Sequence, residues 1–314
     1  MHMLFRRWAI SILILGCAAT LGACGSPAQA DIERGMKLLD DNKRAEAFAA
    51  FDAAVARDPG SAAALAGRGC ARPGTDAALA IADLDRAIAI DPKSVDAYRC
   101  RAEAHRVAGD LDSALGDARK ALELDPSRAY SHVTLGNILD DTGKTAEALP
   151  EYDKAIELDP TLANAYNQRS IARGRLHDEA GASADVDKAI ELDPTYGEAY
   201  ASRAMTAAFD GDCTRALADA DKAIELDPDF PTAYGARALC RADAGDLDGA
   251  LADADKAIEL RRADAFAYWV RGMIRAERGD RAEASSDLRR AIDLAPNADF
   301  ATEIKAVLIE YGLD

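Results

Sequence analysis

The sequence predicts an all-α fold, a superhelical array of about eight helical hairpins closed by a C-terminal helix. Three observations carry the prediction. Asp-Pro pairs or their relics recur at Asp58-Pro59, Asp91-Pro92, Asp125-Pro126, Asp159-Pro160, Asp193-Pro194, Asp227-Pro228, Arg261-Arg262 and Ala295-Pro296, spaced 33 residues once and 34 residues six times. Most intervals carry two alanines seven residues apart near their end, a spacing of two helical turns. Alanine is frequent and aromatics are only 6% of the chain, which favours closely packed helices over sheets. By length alone 314 residues would make two ordinary domains. A fixed period of this size instead means one continuous core built between neighbouring units.

The first element is a leader. Residues 1–23 hold no acidic residue, carry Arg6 and Arg7, and then run apolar from Trp8 to Leu21, too short for a comfortable membrane span. That is a signal-peptide profile. Its end, Leu21-Gly22-Ala23-Cys24 followed by Gly25-Ser26-Pro27, resembles the bacterial lipobox. The resemblance implies that Cys24 becomes the lipid-modified first residue, a palmitate-bearing membrane anchor, with residues 24–30 as a flexible linker. Gly25 in place of an aspartate resembles lipoproteins sent to the outer membrane, which implies an exported chain on the periplasmic face of that membrane. Two alternatives stay open: retention at the inner membrane, and a plain secretory leader cut after Ala28-Gln29-Ala30, which also has the small-x-small pattern.

The array follows over residues 31–298. In each unit a bulky residue opens the first helix (Tyr98, Tyr166, Tyr200, Tyr234, Tyr268), and a small one four residues later (Ala102, Ser170, Ala204, Ala238, Gly272) admits the second helix closely. A turn centred on Gly109, Gly143, Gly211, Gly245 or Gly279 comes next, where glycine tolerates a left-handed backbone. Alanines 114, 148, 182, 216, 250 and 284, with 121, 155, 189, 223, 257 and 291, line one face of the second helix. Proline then closes the unit and opens the next helix. The second unit is degenerate at Pro73-Gly74, so its first helix should end early; Pro150 lies near the start of a second helix and should distort it little. Residues 299–314, with Ile304, Ala306, Val307, Leu308 and Ile309, read as a capping helix.

In order of residue types and in period together, residues 28 to 298 resemble the tetratricopeptide repeat, with tyrosine in place of the family's usual early tryptophan. The resemblance implies a right-handed superhelical solenoid whose first helices line a concave groove for peptides or protein segments.

Six units pair an arginine of the first helix with an aspartate of the second: Arg68 with Asp83, Arg101 with Asp117, Arg169 with Asp185, Arg203 with Asp219, Arg237 with Asp253 and Arg271 with Asp287. The first unit has Arg34 with Ala50, and the fourth has Leu135 with Glu151. These are expected to be ion pairs holding the two helices together; a ladder of basic ligand contacts is the alternative.

Catalysis is not expected. Beyond the leader the histidines are His105, His132 and His177, in different slots and without a second ligand at metal spacing. There is no phosphate-binding glycine loop, and Asp246-Leu247-Asp248-Gly249 lacks the closing glutamate of a calcium loop. No cofactor or metal is therefore expected. With 38 basic and 55 acidic residues, a net charge of −17 would repel phosphate backbones, which excludes nucleic acid as a partner. Four cysteines follow Cys24. In an oxidising compartment, and with contacts only between neighbouring units, the pairings open to them are Cys70 with Cys100 and Cys213 with Cys240. Four small buried thiols are the alternative.

Polarity changes along the expected groove. Units three to five offer Arg99, Glu103, Arg106, Tyr130, Asn137, Asp140, Asn167 and Arg175, whereas later units offer Met205, Phe209, Leu239, Phe266, Trp269 and Met273. Met205 and Phe209, like Trp269 and Met273, stand four apart on one helix face. Such a surface suits an adaptable peptide ligand, unless the side chains merely pack between hairpins. The family's chaperone-tail clamp is absent, since Val133 and Asn137 have no lysine set beside them. The function expected is a non-enzymatic scaffold in the cell envelope that binds a partner protein or peptide. The alternative is an accessory or ligand-binding subunit for an envelope polymer or small molecule.

Overall fold

Eight helical hairpins follow one another in a computed structural model of the chain, which describes residues 26–40, 43–295, 300–310 and 312. The leader and Cys24 lie outside the described residues. The hairpins are α1 Pro27–Asp40 with α2 Arg44–Arg57, α3 Ala62–Ala71 with α4 Ala77–Ile90, α5 Val95–Val107 with α6 Leu111–Leu124, and α7 Ala129–Asp141 with α8 Thr145–Leu158. They continue as α9 Ala163–Arg175 with α10 Glu179–Leu192, α11 Gly197–Phe209 with α12 Cys213–Leu226, α13 Pro231–Asp243 with α14 Leu247–Leu260, and α15 Ala265–Arg278 with α16 Arg281–Leu294. A last helix, α17, runs Phe300–Glu310. Among the described residues there is no strand, and no helix is long and apolar enough to cross a membrane.

The local chemistry of each unit explains its boundaries. Asp110, Asp178, Asp212 and Asp246 cap the second helices by accepting the N–H three residues on, and Ser61, Ser94 and Asp264 do the same for first helices. At the Asp-Pro junctions the carboxylates of Asp91, Asp125, Asp159, Asp193 and Asp227 each accept the N–H two residues on, which folds the chain back between units. The alanines of the second helices are buried almost completely, so the hairpin seam is a close contact between small side chains. Gly272 shows how close. A β-carbon there would lie 2.8 Å from Leu288.

Three boundaries refine the expectation from sequence. Residues 27–30 are not linker but the first turn of α1, because Pro27 suits the first helical position and the Ser26 hydroxyl accepts the Gln29 N–H at 3.2 Å. In unit two, α3 has 10 residues and gives way to a 3-10 turn at Gly74–Asp76, since Pro73 cannot continue the helix. Helix α8 runs unbroken through Pro150. At the far end Ile304 and Leu308 of α17 pack on Ala284, Leu288 and Ala291, covering the side that a ninth hairpin would cover.

Candidate binding groove

Each arginine of the periodic pairs holds two carboxylates. Arg101 donates through Nε and Nη2 to the two oxygens of Asp117, both at 2.7 Å, and through Nη1 to Asp85 of the preceding unit at 2.6 Å. The same bracket joins Arg68 to Asp83 and Asp52, Arg169 to Asp185 and Asp153, Arg203 to Asp219 and Asp187, Arg237 to Asp253 and Asp221, and Arg271 to Asp287 and Asp255. Five of these guanidinium groups also lie over the tyrosine three residues earlier, 5.3 to 5.6 Å from the ring centre. Hydrogen bonding to the carboxylates raises the pKa of Arg101, Arg169, Arg203, Arg237 and Arg271 further, more than burial lowers it. Four units add a second arginine on the same inner aspartate: Arg72 on Asp83, Arg173 on Asp185, Arg241 on Asp253 and Arg275 on Asp287. With their donors turned onto their own chain, these arginines form rungs between helices and leave no ladder for a ligand.

Unit four interrupts the series. Arg119 stands where the neighbouring rungs have their outer aspartate, Leu135 where they have arginine, and Glu151 where they have the inner aspartate. His132, in the tyrosine slot, instead meets Glu151 at 2.7 Å and the Pro126 carbonyl at 3.0 Å. His105 lies 3.5 Å from Asp110, and His177 has φ 60°, occupying the left-handed turn position that other units give to glycine. Among the described residues no group of three His, Cys, Asp or Glu is arranged to hold a metal ion. Disulfides join Cys70 to Cys100 and Cys213 to Cys240, with 5.2 Å between Cα atoms in both. Each ties one unit to the next.

The early stretch of the groove is closed by its own charges. Arg106 holds Glu103 at 2.7 Å and Asp141 at 2.5 Å, Arg175 pairs with Asp140, and Arg99 lies near Asp96 and over the Tyr130 ring. Burial alone would raise the Glu103 carboxyl, but Arg106, with Arg44 and Arg99 near by, holds it below its usual range. Asn137 accepts the Tyr152 hydroxyl, and Asn167 is fully buried beside Tyr196, whose own pKa burial raises. Arg106 with Asp141 and Arg175 with Asp140 are not visible in the linear pattern, because they join first helices diagonally across units, whereas Arg106 with Glu103 and Arg99 with Asp96 stand three apart on α5 and Asn137 meets Tyr152 within one hairpin.

The late stretch is apolar and open. Phe209 is 59% exposed, and its ring meets Phe266 edge-on at 5.5 Å, which in turn leans on Trp269 at 5.4 Å. Met205 and Leu239 are half-buried against the core of α11 to α13, and Met273 against α16 and α17. Between α13 and α15 lies a cavity of about 480 Å³, lined by Leu239, Ala242, Asp243, Trp269, Val270, Met273, Ile274 and Glu277. The six sequence-predicted groove residues therefore share one continuous face of the first helices. Part of each packs inward. The rest is presented to solvent.

Family models described as tetratricopeptide repeats match residues 74–129, 136–176, 201–268 and 267–298, together more than half of the chain. No curated protein matches the chain in sequence. Among solved structures, a chain of the "APC/C hetero-tetramer Cut9-Hcn1" superposes with a TM-score of 0.72 at 14% identity. That match covers 88% of this chain, which spans 55% of the other. A tetratricopeptide repeat protein from Parabacteroides merdae ATCC 43184 superposes with a TM-score of 0.54 at 18% identity, covering 91% of this chain and 100% of its own. At these identities the likeness concerns the fold.

Proposed function

The chain carries tetratricopeptide repeats over most of its length and belongs with the proteins built from them, and on that premise we propose that it is a non-enzymatic scaffold that holds a partner's peptide segment in the late groove. The observation that carries the reading is the open apolar face from Met205 to Met273 with its cavity of about 480 Å³, on the same helices whose early stretch is sealed by internal ion pairs. Side chains left half-exposed at such a concentration mark interaction surfaces. Cys24, lipid-modified in an exported chain, anchors the scaffold in the cell envelope. The position of α1 supports this over a plain leader cut after Ala30, which would remove the capped first turn of a packed helix.

Crosslinking and pull-down from detergent-solubilised envelopes tests the groove. The partner captured by the unaltered chain is expected to be lost from Trp269→Ala and Met273→Ala, and a partner retained by both moves the site elsewhere. Labelling with a palmitate analogue tests the anchor, with signal expected in the unaltered chain and none in Cys24→Ala.

A further inference from the structure

Resting on that reading of the groove, we propose that its ligand is a basic-apolar peptide segment, one that seats an aliphatic or aromatic side chain in the cavity of units seven and eight and sets a lysine or arginine against Asp243 and Glu277. The two carboxylates line the same cavity and stand 34 residues apart, at one register of α13 and α15. Packed helices place equivalent positions roughly 8 to 10 Å apart, so the acids flank the space between them. Among the described residues neither forms an ion pair. The cations near them are engaged elsewhere: Arg241 with Asp253 at 2.7 Å, Arg275 with Asp287 at 2.6 Å, and Arg278 with Asp248 at 2.7 Å.

The early groove gives the contrast that makes this informative. There the same register carries Asp141, and the chain supplies its own cation, Arg106. Asp140 beside it is likewise held by Arg175. In the late groove two like charges are kept beside a largely apolar cavity with no cation of the chain's own among the described residues, Asp243 meeting only Cys213 Sγ at 3.9 Å, an arrangement that attracts a cation and repels an acidic segment. The occupant is a peptide segment longer than the cavity, because the apolar face continues past it from Phe266 on α15 to Phe209 and Met205 on α11, and with Leu239 on α13 it spans three successive first helices. The arrangement calls for a ligand that is linear, apolar on one face and positively charged at the rim.

Random ten-residue peptides displayed on phage are selected against the full chain carrying Trp8→Phe, which leaves Trp269 as the one indole. The peptides recovered are then titrated by its emission. The expected result is enrichment of lysine or arginine within one helical turn of a large apolar residue. Binding should weaken about tenfold in Asp243→Asn/Glu277→Gln, and not in Glu225→Gln/Glu259→Gln, which removes equal charge from the second helices. Peptides without a basic preference that still lose affinity in Met273→Ala overturn the charge assignment and leave the groove standing, as does equal weakening by both double variants. Peptides indifferent to Met273→Ala, or no binders at all, overturn the groove reading as well.

Discussion

Arg203 spans three helices with one side chain: two bonds to Asp219 on α12, one to Asp187 on α10, and a tyrosine ring beneath it. Replacing it by alanine leaves a nearly buried carboxylate with only the looser Arg215 at 3.9 Å, where loss of a buried partner costs up to about 3 to 5 kcal/mol. Lys222 reaches only the exposed Glu225 one turn on, a pair worth about 0.3 to 0.5 kcal/mol. Arg203→Ala should therefore lower the melting temperature well beyond Lys222→Ala in calorimetry, and equal shifts would sink the argument. The pair at Asp83 also gives the fold an acid limit. Burial pushes the Asp83 carboxyl up, but hydrogen bonds from Arg68 and Arg72 outweigh it and hold the group below 3.8. A depressed carboxyl pKa contributes stability that is present above the unfolded value and lost as pH falls through the folded one. Melting temperatures should accordingly drop as pH falls below about 4, and the drop should shrink in Asp83→Asn. His177 is the opposite case, a side chain that strains its site. Its φ of 60° costs roughly 1 kcal/mol or more in a non-glycine residue, so His177→Gly should raise the melting temperature by a measurable degree or more.

At the scale of the helix, the linear pattern was an unusually good guide. Period, turn glycines and closing prolines were enough to mark hairpin boundaries, because each unit repeats one local solution and contacts only its neighbours. The arginine and its inner aspartate were legible from their constant separation. The outer aspartates of the preceding unit, Asp52, Asp85, Asp153, Asp187, Asp221 and Asp255, recur just as regularly, yet the sequence does not show how far one hairpin is offset from the next. The same offset hid Arg106 with Asp141 and Arg175 with Asp140, and with them the closure of the early groove. The capping helix α17 was read from its apolar residues alone. Truncation after Ala295 should expose Leu288 and its neighbours, with increased binding of a hydrophobic dye and a lower melting temperature. An unchanged protein would mean that α17 does not cap the array.

The whole molecule is a line of units whose cohesion is uneven. Rungs run through units two and three and again through units five to eight, and Arg169 still brackets Asp153 of unit four. Between units three and four the bracket is missing and the ion pair of Arg106 with Asp141 stands in, while His132 and Tyr152 bond within unit four. In such an array stability is a sum of units and interfaces, so a weaker junction divides it. Denaturant titration of the Trp8→Phe chain should give different midpoints for Trp269 emission, which reports the last units, and for helical circular dichroism, which reports all of them. Coincident curves would show that unit four transmits as well as the rest. The late groove lies wholly on one side of this junction, within units six to eight.

The bracketed arginines also bear on how such a gene can change length. A unit that enters with an arginine and leaves with an aspartate fits behind any other of its kind, so gain or loss of 34 codons preserves every rung, whereas a single inserted codon in a second helix disrupts the register of two. Unit four is not interchangeable in this way. Any arginine-bearing unit placed behind unit three would set its cation against Arg119, so Leu135 and Arg119 must be inherited, or lost, together.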